Sequence, residues 1–537
     1  MFKSIFSKEW LKIKFYFILL LCLVCISQIY FFVNISFDFS VIEPESMLWY
    51  KFAHLYEKPY FSFVYLYLII GLVVSFVQYI PERIHNRIKI MAHLPLKLRD
   101  SLYSHLFIGI IFIAILCLIL SLSLILIMNE FYPDVIIKII LKDTVVYSVL
   151  SVVLYLGISA VILEKKPLLT ALKFIFVSII VFSFLKEQYT LNDIVLVVFL
   201  FFMPFLVLDS FYSIKEQRLT SIYFRFCIFL VTLLLLYIGY LTYNNNYKKE
   251  FNKYYIFYSN IINDFVYQKN YGKHKFEYGI KNSSSFSRAI YESYLPFVYW
   301  RNLDIQGKLP LDINKNIYSK KIIKTSRLGF SYHPEFLKDL EVNLYPLFNP
   351  LSHKGMIKYP EEMFIISSNG AVVYNFDEGV SQKLTQELNI KLLNNNFSFP
   401  AKHIWGKPTN MKPFDKGYLV LDNKSNLFNI QRDNSIIRVI KVNYPKNINL
   451  KFMKISENKQ KKLAGYAIDS QSNFYLLDWN FNFNKIDLPN FDYKKMKLKL
   501  ISNPINYLIR YDDSSSYYAV SFKKNDGFKQ IKYIEVN

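Results

Sequence analysis

The chain has 537 residues, 53% of them hydrophobic and 18% aromatic, with 15 glycines and a net charge of +23. Its positive mean hydropathy, +0.20, excludes an ordinary soluble protein. Residues 1–243 hold 20 Lys+Arg against 15 Asp+Glu, leaving 44 against 26 for 244–537, so about +5 falls on an apolar half and about +18 on a polar one.

The first residues, "MFKSIFSKEWLKIK", place Phe2, Ile5, Phe6 and Trp10 near helical spacing with lysines between. That pattern predicts either a helix in the headgroup plane before the first span or a basic flank that only sets orientation. Spans follow at 14–35, 60–80, 106–128, 144–163, 169–185, 194–212 and 223–243, each near the ~20 residues that cross a bilayer core. The fifth is short enough to pair with the sixth as a re-entrant hairpin. The first run is too long and lacks the small-residue cleavage site of a signal peptide. Cys22, Cys25, Cys117 and Cys227 all lie in apolar runs, so the polar half is not stapled by disulfides, and Cys22/Cys25 read as small apolar fillers. Lys173, Asp193 and Asp209 sit near span ends, where the sequence predicts that they reach water. The lack of an interior charge argues against an ion-coupled carrier.

Lys and Arg collect in alternate short loops: the N-terminus, 81–105, "EKKP" at 164–167 and "SIKEQRLTSIYFR" at 213–225. The positive-inside rule makes these cytoplasmic. Seven crossings of an inner (cytoplasmic) membrane then put 244–537 in the periplasm or outside the cell.

The loop "PERIHNRIKIMAHLPLKLRDSLYSH" carries Ile84, Ile88, Met91 and Leu94 as one apolar stripe, ended by Pro95. Basic residues surround it. Such a helix lies on the inner leaflet or inserts its ridge into a groove on a cytosolic protein. Around it, "IMAHLPLKLRDSLYSHLFIGI" resembles the permease subunit of ABC-2 type exporters, whose corresponding stretch runs from apolar residues through Leu-Pro and a basic segment into the next helix. The resemblance covers about residues 1–215. It implies six spans, cytosolic ends and coupling helices docked on an ATP-binding subunit, and it allows a second permease copy as partner. On this sequence the coupling residues would be Ile84, Ile88, Met91, Leu94, Pro95, Leu96, Lys97 and Arg99, with Lys165 and Lys166 as a second contact. A seventh span and a large C-terminal half depart from the family. "LPFVYWRNLDIQGKLP" (295–310) is similar to the extracytoplasmic tail of an uncharacterised family of permease-like proteins.

The sequence contains no G-x-x-x-x-G-K-[ST], and "WGKPT" at 405–409 lacks the first glycine and its context. ATP hydrolysis would fall to a separate chain. No nucleophile or metalloprotease signature appears, and the H-x-x-E spacing of His54 and Glu57 makes no metal site without partners. His85, His93 and His105 spread around their helix. No catalytic residue, cofactor, metal or nucleic-acid partner is therefore assigned.

Residues 244–340 read as a mixed α/β connecting region, with "YYIFYSNIINDFVY" able to extend the last span as helix and "HPEFLKDLEVNL" as another helix. The segment 341–537 reads as a β-rich repeat domain. "DNKSNLF" (422–428), "DSQSNFY" (469–475) and "DDSSSYY" (512–518) share D-x-x-S-[NS]-[LFY]-[FY], and "FIISSNGAVVY" (364–374) is a degenerate copy. Strand, polar turn and strand at this spacing predict a propeller-like array or a sandwich, the Asp and Ser serving as turn formers. The expected architecture is a polytopic α-helical membrane domain of about seven spans followed by a mostly β soluble domain. The expected function is an exporter permease using membrane lipids and an ATP-binding subunit as partners, its outer domain docking cargo. The alternative is a membrane-anchored binding or scaffold protein that transports nothing. The positive outer domain would attract anionic headgroups or acidic glycans, or would reflect only a Lys/Asn-rich proteome.

Overall fold

The computed structural model describes residues 2–84, 87–88, 98–185, 194–215, 217–219, 222–247, 253–281, 283, 285–445, 447–524 and 528–536. The chain divides into two compact units, Met1–Lys248 and Lys249–Asn537.

The first unit is helical: α1 (Phe2–Val41), α2 (Ser46–Leu55), α3 (Phe63–Ile84), α4 (Leu98–Phe131), α5 (Asp134–Leu163), α6 (Pro167–Ser183), α7 (Ile194–Tyr212) and α8 (Ile222–Tyr247). Long Leu/Ile/Phe runs make these helices, and α3 and α7 carry a proline within them, Pro81 and Pro204. Proline marks their starts, Pro133 at the N-cap of α5 and Pro167 in the first turn of α6, where a missing N–H costs nothing. Six of the helices are long and apolar enough to cross a membrane, and α6, with 17 residues, is a shorter apolar helix. The sequence-based count of seven thus resolves into six full-length candidates and the short fifth.

Helix α5 is the hub, packing on α3, α4, α6 and α7. Its most apolar window is 61% buried, against 17% for α1 and α8. Exposed Leu, Ile, Phe and Tyr cover the outward faces of α1 and α8, an apolar area far beyond what water tolerates; Cys22 and Cys25 lie there as free, exposed thiols. The α3–α5 contact is close because Gly71 has no side chain: a Cβ there would lie 2.3 Å from the Ser151 carbonyl oxygen. The N-terminal segment is not a separate in-plane helix. It is the first part of one continuous 40-residue helix, roughly 60 Å long at 1.5 Å per residue, because its charges find partners within the unit and the chain has no reason to bend.

The second unit is built of antiparallel sheets. Strands β1 (Lys253–Ser259), β2 (Asp264–Asn270) and β3 (Phe276–Gly279) form the first. Here the structure corrects the sequence: "YYIFYSNIINDFVY" is a hairpin, not a helical extension, with its register closing on Ser259 opposite Asp264. Aromatic and β-branched residues favour strands, and Asn263 takes the left-handed turn position at φ 54. "HPEFLKDLEVNL" likewise gives only a 3₁₀ turn at Pro334–Leu337. Between them lie α9 (Arg288–Tyr294), α10 (Trp300–Ile305), a small β4–β5 hairpin (Leu311–Ile313, Asn316–Tyr318) and α11 (Lys320–Ser326).

Three four-stranded sheets follow in chain order. They are β7 (Tyr345–Pro346) to β10 (Gly379–Val380), β11 (His403–Trp405) to β14 (Ile436–Val442) and β15 (Leu450–Ile455) to β18 (Phe483–Ile486), with α12 (Gln382–Asn394) after the first. In the last sheet, β19 (Lys497–Ser502), β20 (Asn506–Asp512), β21 (Tyr517–Lys523) and β22 (Gln530–Val536) are joined by β6 (Leu328–Tyr332) beside β19.

The sheets share cores in sequence, and strand alternation explains how. In β12 (Tyr418–Leu421), Tyr418 and Val420 pack towards β8 (Glu362–Ser367), β9 (Gly370–Asn375) and α12, while Leu419 and Leu421 pack towards β15 and β17 (Phe474–Leu477). In β16 (Gly465–Asp469), Ala467 joins the latter core and Tyr466 and Ile468 face the last sheet. Leu508 and Ala519 of the last sheet then meet Ile256 and Tyr258 of the first. Strands buried on both faces need continuous apolar runs, as in "GYLVL" and "GYAI". The result is a stack of mostly antiparallel sheets, not a closed barrel.

The repeats are hairpin turns. Asp422 accepts from the Asn426 amide at 2.6 Å, and Asp469 accepts from the Gln471 and Asn473 amides at 2.9 and 2.8 Å. Ser425 and Ser472 hold the left-handed position at φ 60 and 65. The third copy is offset by one residue: Asp513, not Asp512, takes the Ser515 and Ser516 amides, and Ser514 is left-handed at φ 74.

Candidate functional site at the charged helix ends

The antiparallel helices bring the ends of α3, α5 and α7 together with the starts of α1, α4 and α6, and buried polar groups concentrate there. Two charge clusters result.

In the first, Glu9 of α1 accepts from Lys12 at 2.9 Å and faces His105 Nδ1 of α4 at 3.2 Å. Glu82 of α3 takes Lys8 at 2.9 Å and Lys12 at 2.5 Å. Glu9, Glu82 and His105 are buried. Deeper in, Gln78 donates to the His105 carbonyl at 2.8 Å and accepts from the Tyr155 hydroxyl of α5 at 2.7 Å. This chain of bonds staples α3, α4 and α5.

The second cluster surrounds Glu164, the residue that ends α5. Its carboxylate accepts from Lys173 of α6 at 2.8 Å and from both terminal nitrogens of Arg218 at 2.8 and 2.9 Å. Asp209 of α7 takes Lys173 at 3.0 Å and Arg218 at 3.2 Å. Ser210 accepts from Lys173 and donates to the Ala160 carbonyl, each at 2.7 Å. Burial pushes the Glu164 pKa up, but the hydrogen bonds from Arg218 and Lys173 outweigh it and hold the carboxyl down at about 2; the same bond raises Arg218. Among the described residues, two carboxylates thus stand against two cations and the cluster is balanced in charge.

This corrects the expectation for Lys173 and Asp209. Both are buried, because each finds an opposite charge on a neighbouring helix instead of reaching out to water; the argument drawn from an absent interior charge loses its premise. Asp193 lies outside the described residues.

The ends of α3 and α5, from which the two basic loops continue, are joined directly, since the Arg83 guanidinium donates to the Ile162 carbonyl two residues before Glu164. Of the candidate coupling residues, Ile84 is exposed and Ile88 buried. Arg99 is exposed and pairs with Asp100 at 3.4 Å. Lys165 and Lys166 are exposed, the Lys166 amide donating to Glu164 at 3.1 Å. Met91, Leu94, Pro95, Leu96 and Lys97 lie outside the described residues, as do His85 and His93. His54 stacks on Tyr50 at 5.1 Å, and among the described residues no His/Cys/Asp/Glu group could hold a metal. Sequence reasoning missed Glu9, Glu82, Glu164 and Arg218. The available signal was Asp209 in an otherwise apolar run, since an ionisable residue inside a span asks for a partner.

Six apolar helices of spanning length ahead of a sheet-built unit define the protein as a polytopic helical membrane protein with a large β domain. Residues 255–522 match the family described as "Domain of unknown function (DUF4857)", so the sheet unit carries that domain. No ABC-2 permease family matches, and neither a curated protein nor a solved structure matches the chain.

Proposed function

We propose that the protein is the permease subunit of an ABC-type exporter, driven by a separate ATP-binding chain. The observation that supports this is the direct tie between the ends of α3 and α5, at the edges of the two basic loops, through Arg83 and Ile162, backed by the charge-balanced clamp on Glu164. A push on either loop would reach α3, α5, α6 and α7 together. Coupling requires only that the ATP-loaded partner bind one bundle state better than another. The basic loops face the cytosol of an inner membrane, and the sheet unit lies beyond the opposite face, where it receives cargo or a partner. Its four-stranded meanders, with β6 completing the last sheet, support an open propeller-like array.

The test is purification of the full chain after mild solubilisation. Co-purification of an ATP-binding chain, lost on Leu94→Asp while membrane insertion persists, is the expected result. Failure to bring down any such chain overturns the reading and leaves the anchored binding protein.

A further inference from the structure

A cavity of about 510 Å³ opens between the first and last sheets of the C-terminal unit. Four cations line it, Lys253, Lys497, Lys499 and Arg510, against the acids Glu335 and Asp512. Register makes the arrangement unusual. Lys499 stands directly opposite Arg510 across the β19–β20 pair, with Ser331 and Ala519 as the next neighbours on either side. Like charges directly opposed in a sheet are destabilising, and this cross-strand row contains no acid.

Arg510 makes the case stronger. It forms no ion pair among the described residues. Its guanidinium lies 4.7 Å from the Phe257 ring and 5.9 Å from Tyr255, with one 3.4 Å hydrogen bond to the Ile256 carbonyl. A half-buried guanidinium left with π faces and one long bond retains most of its fork of donors, the geometry that takes a carboxylate or phosphate bidentately. The cavity falls within the ~300–1,000 Å³ of small-molecule sites, far more than a bare oxyanion fills. Partly exposed Tyr254, Tyr255, His333 and Phe336 line the remainder. Ring faces of that kind suit the C–H face of a sugar.

We infer that this cavity binds an anionic saccharide, its carboxylate or phosphate held by Arg510 and Lys499 and its ring laid against the aromatic wall. The site stands on the geometry of the sheet unit and does not rest on the permease reading.

The experiment is calorimetric titration of the full chain in lipid nanodiscs with a disaccharide of glucuronate, with maltose and with inorganic phosphate. The glucuronate disaccharide binds, while maltose and phosphate each bind at least about tenfold more weakly. Arg510→Gln and Lys499→Gln each weaken the disaccharide by about tenfold, the scale of losing one charged contact. Lys499→Gln, at an exposed position, also raises the thermal midpoint without ligand, because it removes the repulsion. No disaccharide binding, equal binding of maltose, equal binding of phosphate, or wild-type affinity in both variants overturns the assignment.

Discussion

Glu164→Gln tests the helix-end clamp. The wild-type cluster balances Glu164 and Asp209 against Lys173 and Arg218. Neutralising Glu164, which is fully buried, leaves two cations facing one carboxylate. Breaking a buried pair in this way costs about 3–5 kcal/mol. The depressed carboxyl gives a consistent scale: a fall from 4.5 to about 2 corresponds to roughly 3 kcal/mol at about 1.4 kcal/mol per pH unit. The sign follows from linkage. A carboxyl whose folded pKa is lowered stabilises the fold fully above pH 4.5, and the contribution disappears as pH falls to about 2. The single variant therefore loses stability at neutral pH and shows a flatter acid limb. Adding Lys173→Met restores one cation to one anion and recovers most of the loss. Midpoints of denaturant or SDS unfolding in detergent, from neutral pH to the lowest pH the detergent permits, measure all three proteins. A single-variant loss below about 0.5 kcal/mol, the scale of an exposed pair, or strictly additive losses would refute the reasoning.

Three further outcomes are expected. Gly71→Val forces α3 and α5 apart, since its Cβ alone would meet the Ser151 carbonyl at 2.3 Å; folded yield in detergent falls sharply, whereas Gly239→Ala, with open space around it, changes little. Asp469→Ala removes the acceptor of two backbone amides and of the Tyr475 hydroxyl and costs about 1–2 kcal/mol, while Ser472→Gly at φ 65 is neutral or stabilising by up to about 1 kcal/mol; thermal unfolding of the full chain separates them. Burial and nearby Lys462 push Lys524 down to about 7, so the folded state sheds its proton while the unfolded state keeps it, and stability rises between about pH 7 and 10.5. Lys524→Met accordingly stabilises most below pH 7, and its gain fades towards pH 10.5 in a pH series of thermal midpoints.

Some of this architecture is readable one residue at a time. Apolar length located the helices, and the D-x-x-S turns located the hairpins, because both depend on local chemistry. The clamp of Glu164 and Asp209 on Lys173 and Arg218 depends on four segments meeting, and no local pattern reveals it. The N-terminal lysines show the same limit. Lys8 and Lys12 look like a membrane-surface pattern until Glu82, at least seventy positions away, supplies their counter-charge. The hairpin at 253–270 failed for another reason: aromatic runs next to a span fit helix and strand equally, and only the Asn263 turn decides. β6 could not be placed from sequence, since its partner β19 lies about 170 residues further on.

The staples also constrain how the bundle can respond to a partner. Gln78, Tyr155 and the His105 carbonyl bind α3, α4 and α5 into one block, and Gly71 packs two of those backbones together. Sliding within that block would leave buried polar atoms unpaired, at about 1–3 kcal/mol each. The second cluster is different in kind. Lys173 and Arg218 each reach both Glu164 and Asp209, so α6 and α7 can shift while every charge keeps one partner, at the cost of the one Ser210 bond to the Ala160 carbonyl. Under the permease reading, motion falls at α6 and α7 and the α3–α5 block moves as a rigid body. Oxidising paired cysteines at Ser75 and Ser159, whose hydroxyls lie 3.1 Å apart between α3 and α5, would then leave transport as it is in the reduced protein, whereas oxidising a pair at Lys173 and Asp209 would stop it.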